Sequence, residues 1–245
     1  GWAEFEPNWR RHATGVDLVV PCPSDRMFTA TEINEYAWET ACGEESLQTA
    51  GFVQVHRFSD LAAALDYFRM LDAAESEPGL AALRDEARRR GLPVLVDDDH
   101  ISIGAGAGSA TWPLRSIPAV DAVPWVRLHD VPTVLVTGSN GKTTTTRVIA
   151  AMLSAWKEEH RGHVGISCTE GVQIGAKWVR RGDYSGPGGA REVLRDSRVT
   201  AAVLETARGG ILRRGLAVSH ADAVVVTNVA EDHFGEYGVD TLDDL

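Results

Sequence analysis

At 245 residues with 44% apolar side chains, the sequence is long enough to bury one large core or two modest ones. Its net charge of -11, from 24 Lys and Arg against 35 Asp and Glu, argues against a nucleic-acid surface, which needs clustered cations. The three cysteines (Cys22, Cys42, Cys168) lack the paired spacing of a zinc site or disulfide framework, and no apolar run approaches the ~20 residues that span a bilayer, so a cytoplasmic protein with free thiols and no membrane partner is expected.

In the first half, Thr29 followed by Glu32 predicts a capping box opening a helix to about Cys42. Ser59 and Asp60 predict the cap of a second helix, with Leu61, Leu65, Phe68 and Leu71 turned inward. A third helix is expected over 80–90, stopped by Gly91 and Pro93, then a strand over 94–96. The acidic triplet Asp97, Asp98 and Asp99 reads as a turn, and 104–118, rich in Gly, Ser, Pro and Ala, as a loop toward a second domain. A boundary falls near Leu128, leaving residues 1–128 as a smaller α/β N-terminal domain of uncertain role.

From about Val131 the pattern becomes regular. A short apolar strand over 134–136 leads through a Gly-containing turn into a helix over 143–156, with Val148, Ile149, Met152, Leu153 and Trp156 on one face. Apolar runs at 164–167, 201–204 and 223–226 suit strands buried on both faces of a parallel sheet, and helices are expected over 190–195 and 209–216. Residues 129–245 therefore read as a P-loop α/β domain with a mostly parallel sheet.

The chemistry concentrates in TGSNGKTTTT at 137–146. The standard phosphate-loop pattern places four residues between its first Gly and the Gly-Lys pair, whereas Gly138 precedes Gly141 by two, and Val136 stands where the first Gly would be. The context still fits: a strand, a turn through Gly138, Ser139, Asn140 and Gly141, then Lys142, Thr143 and Thr144 opening a helix whose free N–H groups favour anions. In that geometry Lys142 reaches the β- and γ-phosphates of ATP and the Thr143 hydroxyl ligates magnesium. Glu205, at the carboxyl end of the third strand, suits a second magnesium ligand or a cap for the next helix. TNVAEDHFG, after the fourth, gathers Asn228, Glu231, Asp232 and His233 where a cation or reactive phosphate could sit. Arg88 to Arg90, and Arg213 with Arg214, read as solvated helix faces or local anion contacts.

TGSNGKTTTT, LETARGG at 204–210 and TNVAEDHFG form an ordered set that resembles the central ATPase domain of the Mur ligase family, in which the shortened loop is usual. GDYSGPGGAREVLRD at 182–196 and LETARGGILRRGL at 204–216 are similar to the Mur-ligase half of cyanophycin synthetases. The resemblance covers about 132–245. It implies a ligase that joins a carboxylate to an amine at the expense of ATP through an acyl phosphate. Lys142, Glu205 and His233 would carry catalysis, with Lys142 on phosphate; Thr143, Glu205 and His233 would ligate magnesium; Asn228 and Asp232 would support them. The partners it implies are a small-molecule or peptide carboxylate and an amino acid amine, an aspartate-rich peptide and arginine by analogy, contacted by the segment from Asp183 to Arg191 and the run from Arg208 to Arg214. Two departures concern the substrate: Glu170 stands where that type tends to have Asp, and the Gly188-Gly189 pair lacks its aromatic residue. The family's site lysine and C-terminal ligase domain are expected beyond Leu245, as in a piece of a longer protein. A regulatory or scaffold module that kept the loop without complete ligase activity, and a free-standing ATPase or kinase-like protein, are the competing readings.

Overall fold

The computed structural model describes residues 8–12, 15–23, 25–42, 58–158, 162–231, 234–235 and 239–245. Its contacts divide the chain into two compact units, Gly1–Ala81 and Ala82–Leu245, so the division lies ahead of the expected boundary near Leu128.

The first unit holds an antiparallel pair, β1 (Asn8–His12) and β2 (Gly15–Val19), and the helices α1 (Met27–Cys42) and α2 (Leu61–Glu75), which pack on each other. The expected capping box at Thr29 does not form, because α1 starts two residues earlier and Thr29 is buried within its first turn. The Glu75 carboxylate, at the end of α2, instead accepts from the N–H groups of Phe28 and Thr29, both at 2.7 Å, and so caps α1 from outside. Asp60 caps α2 as its sequence predicts, accepting from Ala63 N–H at 2.9 Å. The inward face of α2 is narrower than expected: Ala64 and Phe68 are buried, whereas Leu61 and Leu65 are exposed.

The second unit opens within α3 (Pro78–Arg89). That helix ends in a Schellman arrangement, with Leu92 N–H donating to Ala87 O at 2.9 Å and Gly91 N–H to Arg88 O at 2.9 Å. A three-stranded antiparallel sheet follows: β3 (Val94–Val96), β4 (His100–Ile103) and β5 (Ala110–Pro113). The acidic triplet is the β3–β4 turn, its Asp97 Oδ1 accepting from the N–H groups of Asp99 (3.1 Å) and His100 (2.9 Å). The expected loop over 104–118 contains β5, whose Thr111 side chain pairs with Ser102 at 2.8 Å.

The main sheet has six strands: β6 (Thr133–Thr137), β7 (His163–Cys168), β8 (Gly171–Ile174), β9 (Lys177–Arg181), β10 (Val199–Glu205) and β11 (Ala223–Val226). Their order is β11-β6-β10-β7-β8-β9; the first four are parallel, and β8 and β9 extend the sheet as an antiparallel meander. The helices between them are α4 (Lys142–Glu158), α5 (Pro187–Arg195) and α6 (Arg208–Arg214).

Strand β10 explains the layering. Ala201 and Val203 pack with Ala150 of α4, while Val199, Ala202 and Leu204 pack with Val193 and Leu194 of α5, so alternate side chains feed two cores on opposite faces. The α5-side core also includes Leu95 and Ala105, which is why residues 82–128 belong with the P-loop. Arg195 ties the small sheet to α5: its guanidinium donates to the Asp97 carboxylate, to Ser102 Oγ at 2.7 Å and to the carbonyls of His100 (3.2 Å) and Leu95 (3.3 Å).

Burial pushes the Asp97 carboxyl upward, but the Arg195 bond and the N–H groups of Asp99 and His100 outweigh it and hold Asp97 below the usual carboxylate range. A lowered folded pKa gives stability that is present above the unfolded value and lost as pH falls through the folded one. Arg195→Met is therefore expected to lower unfolding free energy by about 2 kcal/mol at neutral pH, less than a fully buried pair would cost. Urea denaturation should show the gap between variant and wild type closing in acid.

Candidate nucleotide-phosphate site

The connections from β6 and β10 leave these neighbouring strands toward opposite sides of the sheet, α4 leading to β7 and α6 to β11. A crevice at the carboxyl ends of two such strands is where α/β sheets place ligands. Here it is bounded by the turn at 138–141, the start of α4, Glu205 with Thr206, and the 227–230 segment after β11.

The turn is clamped by the segment after β11. Ser139 N–H donates to Asn228 O (3.0 Å), and the Ser139 hydroxyl donates to Ala230 O and accepts from Ala230 N–H, both at 3.0 Å. Asn140 N–H donates to Asn228 Oδ1 (3.0 Å), and the Thr227 hydroxyl donates to Asn140 O (2.7 Å). Gly138 is required by both conformation and space: its φ is +125°, and an added Cβ would stand 2.2 Å from Thr227 Oγ1 and 2.8 Å from Asn228 O. Gly141 also has positive φ, +81°, but faces open space on the turn.

Lys142 lies on the first turn of α4 with its ammonium folded over the loop, donating to Gly138 O and Ser139 O, both at 2.8 Å. An ammonium has three donors, so one remains for a phosphate oxygen. Thr143 shares a 2.8 Å hydrogen bond with the hydroxyl of Thr169, just past β7. Thr144 is exposed on the helix.

The period of two along β10 turns Glu205 to the α4 face, the side of Ala201 and Val203. Its carboxylate is 1% exposed. Oε2 accepts from Thr169 N–H at 3.3 Å, while Oε1 is buried with no hydrogen-bond partner among the described residues. Burial raises the Glu205 carboxyl above its ordinary range, opposed by hydrogen bonds from the Thr143 hydroxyl and Thr169 N–H and by the Lys142 charge; Asp183 pushes it further up.

A buried carboxylate with an unpaired oxygen beside a threonine hydroxyl suits a hard divalent cation, which takes oxygen ligands and often few from protein. Among the described residues no group of three His, Cys, Asp or Glu gathers as a metal cage. His233 and Asp232 lie outside the described residues. Glu231 is exposed. Asp183 caps a turn through Ser185, whose N–H and hydroxyl donate to it at 3.0 and 2.7 Å. Arg213 and Arg214 are exposed, with Arg213 donating back to Gly209 O at 3.2 Å, as on a solvated helix face.

Thr169 is the site residue that sequence reasoning missed. Its available signal is position, the first residue past an apolar strand on the carboxyl edge of a parallel sheet. It contacts both proposed cation ligands. Thr169→Val is expected to weaken magnesium-dependent nucleotide binding by about tenfold, the worth of one hydrogen-bonded network member, with Thr169→Ser restoring most of it. Titration calorimetry with and without magnesium checks this.

The strand order, the turn and its clamp define a P-loop α/β domain. Residues 136–243 match the model of the Mur ligase middle domain. Over 115 residues the chain is 47% identical to the cyanophycin synthetase of Geminocystis herdmanii, 49% to that of Trichormus variabilis and 46% to that of Synechocystis sp.. Each match covers 47% of this chain and 12 or 13% of the relative, so the chain spans about an eighth of the length of these relatives. Among the described residues no helix is long and apolar enough to cross a membrane.

Proposed function

We propose that the chain is the ATP-binding portion of a cytoplasmic carboxylate–amine ligase of the cyanophycin synthetase type. The observation that carries this reading is the buried Glu205 oxygen, without a hydrogen-bond partner among the described residues, beside Thr143 at the mouth of a clamped phosphate loop. Magnesium and ATP, when bound, supply an electrophilic γ-phosphoryl group. The chain's own residues position it. Lys142 holds phosphate oxygens with a fixed positive charge, and the N–H groups at the start of α4 face the same anion. Thr143 and Glu205 would hold the cation, with His233 as a further ligand. Asn228, through Asn140, keeps the loop in shape.

In this reading a substrate carboxylate oxygen takes the γ-phosphoryl group of ATP with release of ADP, and an amine then displaces phosphate from the resulting acyl phosphate, losing a proton as the amide forms. Such chemistry needs positioning and charge neutralisation rather than a protein nucleophile. Asp183 to Arg191 and Arg208 to Arg214 would contact the acid, a small-molecule or peptide carboxylate, and an amino acid would supply the amine.

Phosphate release from ATP with an aspartate-containing peptide and arginine tests the reaction. Release that needs both, with isotopic oxygen passing from the peptide carboxylate into phosphate, supports it. ATP binding with release independent of the acid and amine would support a regulatory or ATPase module instead.

A further inference from the structure

We propose that a cavity on the α5 side of the main sheet binds a small organic anion carrying two or more carboxylate or phosphoryl groups. Its volume is about 390 Å³, within the range of small-molecule sites. Its walls are Arg84 and Arg88 of α3, Arg191 of α5, the strand β3, and Leu216 to Ser219 ahead of β11. Arg84 and Arg88 are four residues apart and so share one helix face.

The charge balance of this cavity is what singles it out. Acidic residues outnumber basic ones in the chain, yet no Asp or Glu lines the cavity among the described residues. Two of the three acids on its helices, Glu86 and Glu192, are engaged by other arginines. Glu86 receives Arg89 at 2.6 and 2.8 Å and Arg90 at 2.6 Å, which take its carboxyl down to about 2, and Glu192 receives Arg180 at 2.8 Å. The third, Asp85, forms a long, exposed 3.9 Å ion pair with Arg88. Arg191 has no ion pair among the described residues.

Guanidinium groups match the planar carboxylate and the phosphoryl group with paired N–H donors. Leu95, Leu216 and Val218 add apolar surface for a carbon skeleton, and Ser219 a hydroxyl, which favours an organic anion over a bare inorganic ion. The cavity shares no lining residue with the phosphate loop or its clamp. Ser219 precedes β11 whereas the clamp follows it. The assignment is therefore independent of the phosphate loop, though Arg191 also ends the segment that the ligase reading places on the acid substrate.

Calorimetric titration of the 245-residue chain carrying Lys142→Ala tests it, since that background removes the proposed phosphate contact at the loop. Tricarballylate and inorganic pyrophosphate are titrated separately at constant ionic strength. One-site saturable binding of at least one probe is expected, weakened about tenfold or more by Arg191→Gln and by Arg88→Gln. The tighter probe distinguishes carboxylate from phosphoryl recognition. Arg88 lies on an exposed helix surface, so Arg88→Gln carries the comparison if Arg191→Gln fails to fold. No saturable binding of either probe up to about 10 mM, or binding that neither substitution changes, would overturn the assignment.

Discussion

Gly138→Ala is expected to raise the dissociation constant for ATP by about a hundredfold or more, the equivalent of roughly 3 kcal/mol. Two costs combine. The backbone at φ +125° is a conformation that a residue with a Cβ adopts only under strain, of order 1–3 kcal/mol. The methyl would also stand 2.2 Å from Thr227 Oγ1 and 2.8 Å from Asn228 O, so the segment after β11 must move away. That movement breaks the pairing of Asn140 with Asn228 and of Ser139 with Ala230, which fixes where the loop N–H groups point. Gly141→Ala is the control. It carries positive φ but meets nothing within 4 Å, so its cost is backbone strain of about 1 kcal/mol plus whatever the methyl takes from a bound phosphate. Calorimetric titration of both variants, with thermal melts to follow the fold, separates the two effects. Equal losses would show that the clamp does not set loop shape.

Glu205→Gln is expected to separate stability from cation dependence. The wild-type carboxylate is buried, its Oε1 has no hydrogen-bond partner among the described residues, and burial raises its pKa, so the charge costs folding free energy in the absence of a cation. Gln keeps the shape and removes that cost, but buries an amide donor in the same place. These terms offset, and stability without magnesium or nucleotide should stay within about 1 kcal/mol of wild type. The ability of magnesium to strengthen ATP binding should fall by about a hundredfold, because a neutral amide oxygen is a poor replacement for carboxylate on a hard cation. Unfolding curves without ligands and ATP titrations with and without magnesium give the two readouts. A variant that unfolds readily while keeping its magnesium response would make Glu205 a structural group.

Legibility in the sequence followed the range of the interactions involved. β6, β10 and β11 are legible as apolar runs because both sheet faces are covered over the first two, and the P-loop is legible as strand, turn and helix within fifteen residues. The apolar stripe of α4 is wider than the face that the helix buries. Ile149 and Leu153 pack beside Ala150, but Val148, Met152 and Trp156 are exposed. Apolar spacing marks a possible contact face, and its used width depends on the neighbours, here set by Thr146 and Ala150 against the sheet.

The β8–β9 hairpin escaped because β9 is mostly exposed and reads Lys-Trp-Val-Arg-Arg, without clear alternation. The cap on α1 escaped because Glu75 lies 46 residues from Thr29. The clamp on the phosphate loop escaped for the same reason: Asn140 and Asn228 are 88 residues apart, and no local pattern joins them. Asn228 was legible as a residue worth watching, but its pairing with the Asn140 backbone comes only from the parallel register of β6 and β11. His233, the remaining expected ligand, lies outside the described residues.

The most direct measurement of the central claim is ATP titration into the wild-type chain and into Lys142→Ala, each with and without magnesium. Saturable binding to wild type that magnesium strengthens is expected, with a loss of about a hundredfold or more in Lys142→Ala from removing a charged donor to phosphate. Equal binding by both proteins, or wild-type binding indifferent to magnesium, would contradict it.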